Sequence, residues 1–134
     1  MMRKKNIEIV QLIQIPLINQ DFIFIYGVKD YKRLSTYFIG QHELAKRVYA
    51  DFDKTNPYTD AYVELYTEDN DDYYLSFVLK KVELGIIVHE ITHLMQHIRT
   101  RFFPNGIERE FEAYLTEWIF NEIYKILKDN KLIQ

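Results

Sequence analysis

An α+β domain is what this sequence predicts, and three observations predict it. Two short β-rich runs with a turn between them open the chain, and a second such pair follows Pro57. Two long segments nearer the C-terminus instead repeat apolar residues every three or four positions. The chain has 134 residues, 48% of them apolar, which suits a single domain (1–134) around one core. The expected arrangement is a small, mostly antiparallel sheet packed on two C-terminal helices.

Each element has its own signal. Residues 7–17 alternate loosely up to Pro16 and read as a strand. Asn19-Gln20-Asp21 reads as a turn, and Phe22–Tyr26 as a returning strand that stops at Gly27. Asp30 can cap a helix running to about Phe38, which Gly40 breaks. His42 to Phe52 resumes helical spacing through Leu44 and Val48. Residues 53–57 form a loop, because Pro57 drives Asn56 out of helical backbone. Ala61–Tyr66 and Tyr73–Leu79 make the second hairpin, with Glu68-Asp69-Asn70-Asp71-Asp72 at its tip. That acidic tip lacks the central Gly and the ligand spacing of a calcium loop, so a solvated turn is expected. A helix is predicted from about Lys81 to Thr100, and a break at Phe102-Phe103-Pro104-Asn105-Gly106. A last helix follows from Ile107 to about Lys128, with a frayed tail after it.

Bulk properties narrow the function. The formal charge is −3, with no strongly basic stretch, so nucleic acid is not an expected partner. No cysteine is present, which removes disulfides, thiolate metal sites and cysteine nucleophiles together. The basic start, Arg3-Lys4-Lys5, is expected to be solvated. Residues 7–18 after it include Glu8, Gln11 and Gln14, and are too short and polar to be a bilayer span. The expected setting is cytoplasmic, with no membrane partner.

The chemistry concentrates in Leu84-Gly85-Ile86-Ile87-Val88-His89-Glu90-Ile91-Thr92-His93-Leu94-Met95-Gln96-His97-Ile98. Leu84, Ile87/Val88, Ile91, Leu94/Met95 and Ile98 form an apolar helical stripe. His89 and His93 lie four apart and therefore one above the other on another face. Two neutral imidazoles one turn apart can hold one zinc ion at about 2.0–2.1 Å. Glu90, beside them, is placed to take a proton from water activated by that metal. A surface helix with two solvated His and an ordinary Glu is the plainer alternative. The phasing of the motif against the apolar stripe argues against it.

A catalytic zinc site takes three protein ligands and keeps one position open. The last helix offers Glu108, Glu110, Glu112, Glu117 and Glu122. Glu110 lies near its start and shares a face with Ala113, Tyr114 and Glu117, where small Ala113 would let the helices approach closely. Glu112 is expected nearer the solvated side. Glu110 is therefore the expected third ligand, with Glu117 in reserve or orienting a ligand from behind. His97 is expected at the rim of the cleft; the metzincin pattern fails because Gln96 and Arg99 stand where its Gly and third His belong. His42 reads as a surface His. Tyr114 is a candidate donor to a developing oxyanion, though a tyrosine at the core's edge is the commoner outcome.

His89-Glu90-x-x-His93, then Gly106, then Glu110-x-x-Ala113, resembles the gluzincin arrangement. More narrowly, Gly106-Ile107 and Glu110-Phe111-Glu112-Ala113-Tyr114-Leu115 are similar to a segment of small zinc metallopeptidases encoded by tailed phages and prophages. With the hairpin before the motif and the N-terminal unit, the resemblance covers most of the chain. It implies a minimal zincin-like fold, zinc as cofactor, His89, His93 and Glu110 as ligands, and Glu90 as general base. The expected activity is peptide-bond hydrolysis on a peptide or protein substrate. So short a chain leaves little room for substrate subsites, so a partner protein could supply specificity. The alternative, from a different class, is a non-catalytic protein-binding or virion-assembly module on a zincin scaffold.

Overall fold

The computed structural model describes residues 7–18, 20–28, 60–67 and 73–133. Four strands and two helices make up these parts: β1 (Ile9–Ile15), β2 (Gln20–Tyr26), β3 (Ala61–Thr67), β4 (Tyr73–Leu79), α1 (Leu84–Phe102) and α2 (Arg109–Asp129). The class is α+β, as predicted. The expected helices over 30–38 and 42–52, the loop at 53–57, the acidic tip at 68–72, His42 and the basic N-terminus lie outside the described residues.

The sheet runs in the order β1-β2-β4-β3. Its outer pairs, β1 with β2 and β3 with β4, are antiparallel hairpin partners. The central pair is parallel, with Phe22 opposite Leu75 and Tyr26 opposite Leu79. One face carries Ile13, Ile15, Phe22, Phe24, Leu75, Phe77 and Leu79 into a core shared with both helices. Phe77 sits between Phe22 and Phe24, with ring centroids 6.2 and 5.7 Å away. The opposite face is buried as well at Ile25 and Val78. Central strands buried on both faces read as the near-continuous apolar runs that β2 and β4 show.

The first turn falls earlier than expected. Gln20 and Asp21 belong to β2, and the chain turns at residues 16–18 instead. Pro16 has no N–H to donate, so it ends β1. Leu17 then adopts φ 68, and the Gln20 N–H donates to Ile18 O at 2.9 Å. Gly27 also has a positive φ (+75), and a Cβ there would lie 2.0 Å from Ile7 O. Only glycine fits where β2 leaves the sheet this close to the first strand.

Helix α1 starts later than predicted, because residues 80–83 are needed to leave the sheet. The Lys80 and Lys81 N–H groups both donate to Asp60 O, at 2.8 and 3.2 Å. Its buried stripe is Ile87, Glu90, Ile91, Leu94, Met95 and Ile98. Leu84 and Val88, expected in that stripe, are each 52% exposed. Helix α2 buries Leu115, Ile119, Ile123, Ile126 and Leu127, with Phe111 and Trp118 packed at the margin. Glu108 caps it: the N–H groups of Glu110 and Phe111 donate to its carboxylate at 3.1 and 2.9 Å. The chain does not fray directly after α2. Lys131 adopts φ 59, the Leu132 N–H donates to Leu127 O at 2.9 Å, and Leu132 and Ile133 pack on the core. This is a Schellman closure, with an apolar residue following it into contact. No helix among the described residues is long and apolar enough to cross a membrane.

Candidate metal centre

The sequence builds this site mostly within one helix. Residues four apart stack on the same side of α1, and His89 and His93 do so on its exposed side. Their rings meet edge to face, with centroids 4.8 Å apart. The two Nε2 atoms converge to 3.2 Å. Two nitrogens bound at about 2.0–2.1 Å to one tetrahedral ion lie about 3.3–3.4 Å apart. The separation of the two Nε2 atoms is close to that spacing. Cysteine-free donors of this kind are those of catalytic rather than structural zinc.

Glu90 lies on the buried edge of α1 and is only 7% exposed. Burial pushes its carboxyl above the ordinary value of 4.5, while the charges of His93 and His89 draw it back down. It shares a hollow of about 550 Å³ with His89, Gly85, Ile86, Glu83, Asp60 and Ala61. That hollow joins the His89 side of α1 to the start of β3, the edge strand of the sheet among the described residues. A second hollow, of about 670 Å³, lies further along α1. It is lined by Gln96, His97, Thr100, Arg101 and Phe102, with Leu65 and Leu75 opposite. His97 is thus at a cleft rim, as expected, and half-buried.

The carboxylates of α2 are arranged differently from expectation. Glu110, Ala113, Tyr114 and Glu117 are all exposed, on the side of α2 away from its buried stripe. Ala113 is not a point of close helix approach. Glu112, expected on the solvated side, instead reaches α1: its Oε1 is 3.1 Å from Arg99 Nη1. The physical reason is phase. Glu112 falls within the arc of Leu115, Ile119 and Ile123, whereas Glu110 falls opposite it. Phe103 against Phe111, at 5.7 Å, fixes the same end of the helix pair. Among the described residues no three His, Asp or Glu side chains come together as a metal-holding group. The structure brings His89 and His93 together and sets Glu90 in a hollow with His89, while Glu110 and Tyr114 stand on the exposed side of α2. Tyr114 is 47% exposed.

One residue of the site was missed by reading the motif alone. Gln96 places Oε1 3.0 Å from His93 Nδ1. Its spacing, three residues after the second His, is the signal that could have found it. Comparison with protein-family models, with curated proteins and with solved structures finds no match to this chain.

Proposed function

We propose that this chain is a zinc-dependent peptidase working at His89, Glu90 and His93. The observation that carries this reading is the 3.2 Å convergence of two Nε2 atoms beside a buried carboxylate. His89 and His93 would hold the ion, and a carboxylate from α2 would have to turn towards them to complete the set; Glu110 is our first choice and Glu117, on the same exposed side, the second. When bound, the ion supplies a Lewis acid that acidifies water and polarises the scissile carbonyl. Glu90 takes the proton of the attacking water and passes it to the amine nitrogen as the C–N bond breaks.

The substrate we assign is an extended peptide. Among the described residues β3 hydrogen-bonds to β4 alone, so its outer edge has backbone groups to offer. A peptide added there as a further strand would gain main-chain hydrogen bonds, and the hollow at His89 and Glu90 lies beside it.

The test is zinc content and hydrolysis of an unstructured protein substrate, in the wild type and in Glu90→Gln. One zinc per chain in both, with hydrolysis reduced by about 10²–10⁴-fold in the variant, is expected for loss of the general base. Retained hydrolysis in Glu90→Gln removes Glu90 from the mechanism. A wild type that binds no zinc removes the reading as a whole.

A further inference from the structure

We propose that Gln96 is the positioning residue of this site: it fixes the tautomer and ring angle of His93, and so aims the Nε2 lone pair of His93 at the point where His89 also aims. The assignment of the tautomer stands on geometry alone. Its consequence for the metal rests on the zinc-site reading.

The argument starts from hydrogen-bond chemistry. Gln96 Oε1 can only accept, and it lies 3.0 Å from His93 Nδ1. The Nδ1 atom therefore carries the hydrogen and donates it. A neutral imidazole has one N–H, so His93 Nε2 is left bare. That bare nitrogen lies 3.2 Å from His89 Nε2. Two lone pairs would repel at this distance, so in the metal-free chain His89 Nε2 carries the proton between them. The two rings thus hold opposite tautomers: His93 with Nδ1–H, His89 with Nε2–H. Occupation of the point between them by a cation requires His89 to move its one proton to Nδ1. His93 is already in its metal-binding form and loses nothing.

The neighbours of His93 on α1 do not offer a substitute. The Thr92 hydroxyl donates to Val88 O at 3.0 Å, and His97 faces the second hollow. Thr100, one turn beyond, donates to the backbone oxygen of Gln96 at 2.9 Å and leaves its side chain free for His93. Partners behind a metal-bound His are worth about 10–100-fold in metal affinity when removed. An exposed pair at this spacing contributes little to helix stability by comparison. The expected signature is accordingly a change at the metal with none in the fold.

Two measurements test this on the full chain. Long-range ¹H–¹⁵N correlation of metal-free protein reads each ring nitrogen as protonated or bare. The expected spectra show Nδ1–H on His93 and Nε2–H on His89, with His93 losing its preference in Gln96→Leu. A wild-type His93 that is mainly Nε2–H, or one unchanged in Gln96→Leu, overturns the proposal. Zinc affinity by competition with a chelator is the second arm. Gln96→Leu is expected to bind about 10–100-fold more weakly at an unchanged melting temperature. Gln96→Glu, which keeps an acceptor, is expected to stay near wild type. Wild type and Gln96→Leu binding zinc equally overturns the positioning role while leaving the zinc site standing. A wild type that binds no zinc, but shows the predicted tautomers, retires the zinc site and keeps the role of Gln96 in setting the ring.

Discussion

The two helices use their polar residues in opposite ways. On α1 the polar groups face one another: His89 meets His93, His93 meets Gln96, and Glu90 is drawn under the same surface. On α2 the carboxylates serve the scaffold or the solvent. Glu108 caps the helix, Glu112 pairs with Arg99, and Glu110 and Glu117 stand exposed. Both helices are amphipathic and of similar length. The difference lies in what fixes the geometry. Inside one helix, spacing alone sets which side chains meet, since 3.6 residues make a turn. Between helices, the meeting depends on rotation and register, which packing decides.

This contrast can be broken at several points. The largest effect is expected from His93→Ala, which removes half of the imidazole pair. Zinc measured by elemental analysis should fall from one per chain to near zero, and full occupancy would dissolve the site on α1. Next come Glu110→Ala and Glu117→Ala, compared side by side for zinc affinity. The true third ligand should cost at least about 10-fold, as even an outer partner does. If neither variant weakens binding, α2 contributes no ligand from this exposed side. A scaffold carboxylate should behave differently. Glu108→Ala should leave zinc binding intact and cost about 1 kcal/mol, or roughly 4 °C in melting temperature. Loss of zinc in that variant would blur the division between the helices.

The smallest effect is a matter of pH. Burial raises the Glu90 pKa, so its ionised form is costlier in the fold than in the unfolded chain. Above the unfolded value near 4.5 that cost weighs on stability. Below it the group is protonated in both states and the cost vanishes. With metal removed by chelator, Glu90→Gln should melt above wild type at pH 7. The gap should narrow as the pH falls through the raised pKa and close below about pH 4. An equal gap at pH 7 and pH 4 would show that ionisation of Glu90 is not its source.

The same division explains what could be read from the sequence. All four strands and both C-terminal helices were legible, because each is a local pattern of alternation or helical period. So was the pairing of His89 with His93, since it needs only one turn of helix. Local sequence did not reveal the parallel pairing of β2 with β4, which joins distant segments. The first turn was misplaced because Asn19-Gln20-Asp21 carries turn chemistry, yet Pro16 had already ended β1. The side of α2 that meets α1 was misjudged for a comparable reason. Composition marked Ala113 as a point of approach, while the apolar arc from Leu115 to Ile126 had the larger claim on burial. Gln96 was read only as a departure from the metzincin pattern, because the motif directs attention to its own five letters.

The parallel pairing at the centre of the sheet has a kinetic consequence. Each hairpin and each helix can form from contacts close in the chain. Phe22 and Leu75, by contrast, meet across about fifty intervening residues, and closing so wide a loop is slow. Helix α1 can bring its imidazoles together before that happens. Glu90 acquires its buried setting only once the sheet and core are joined beneath it. The imidazole pair therefore needs only α1, whereas the buried setting of Glu90 needs the finished core, so the two halves of the candidate site belong to different stages of folding.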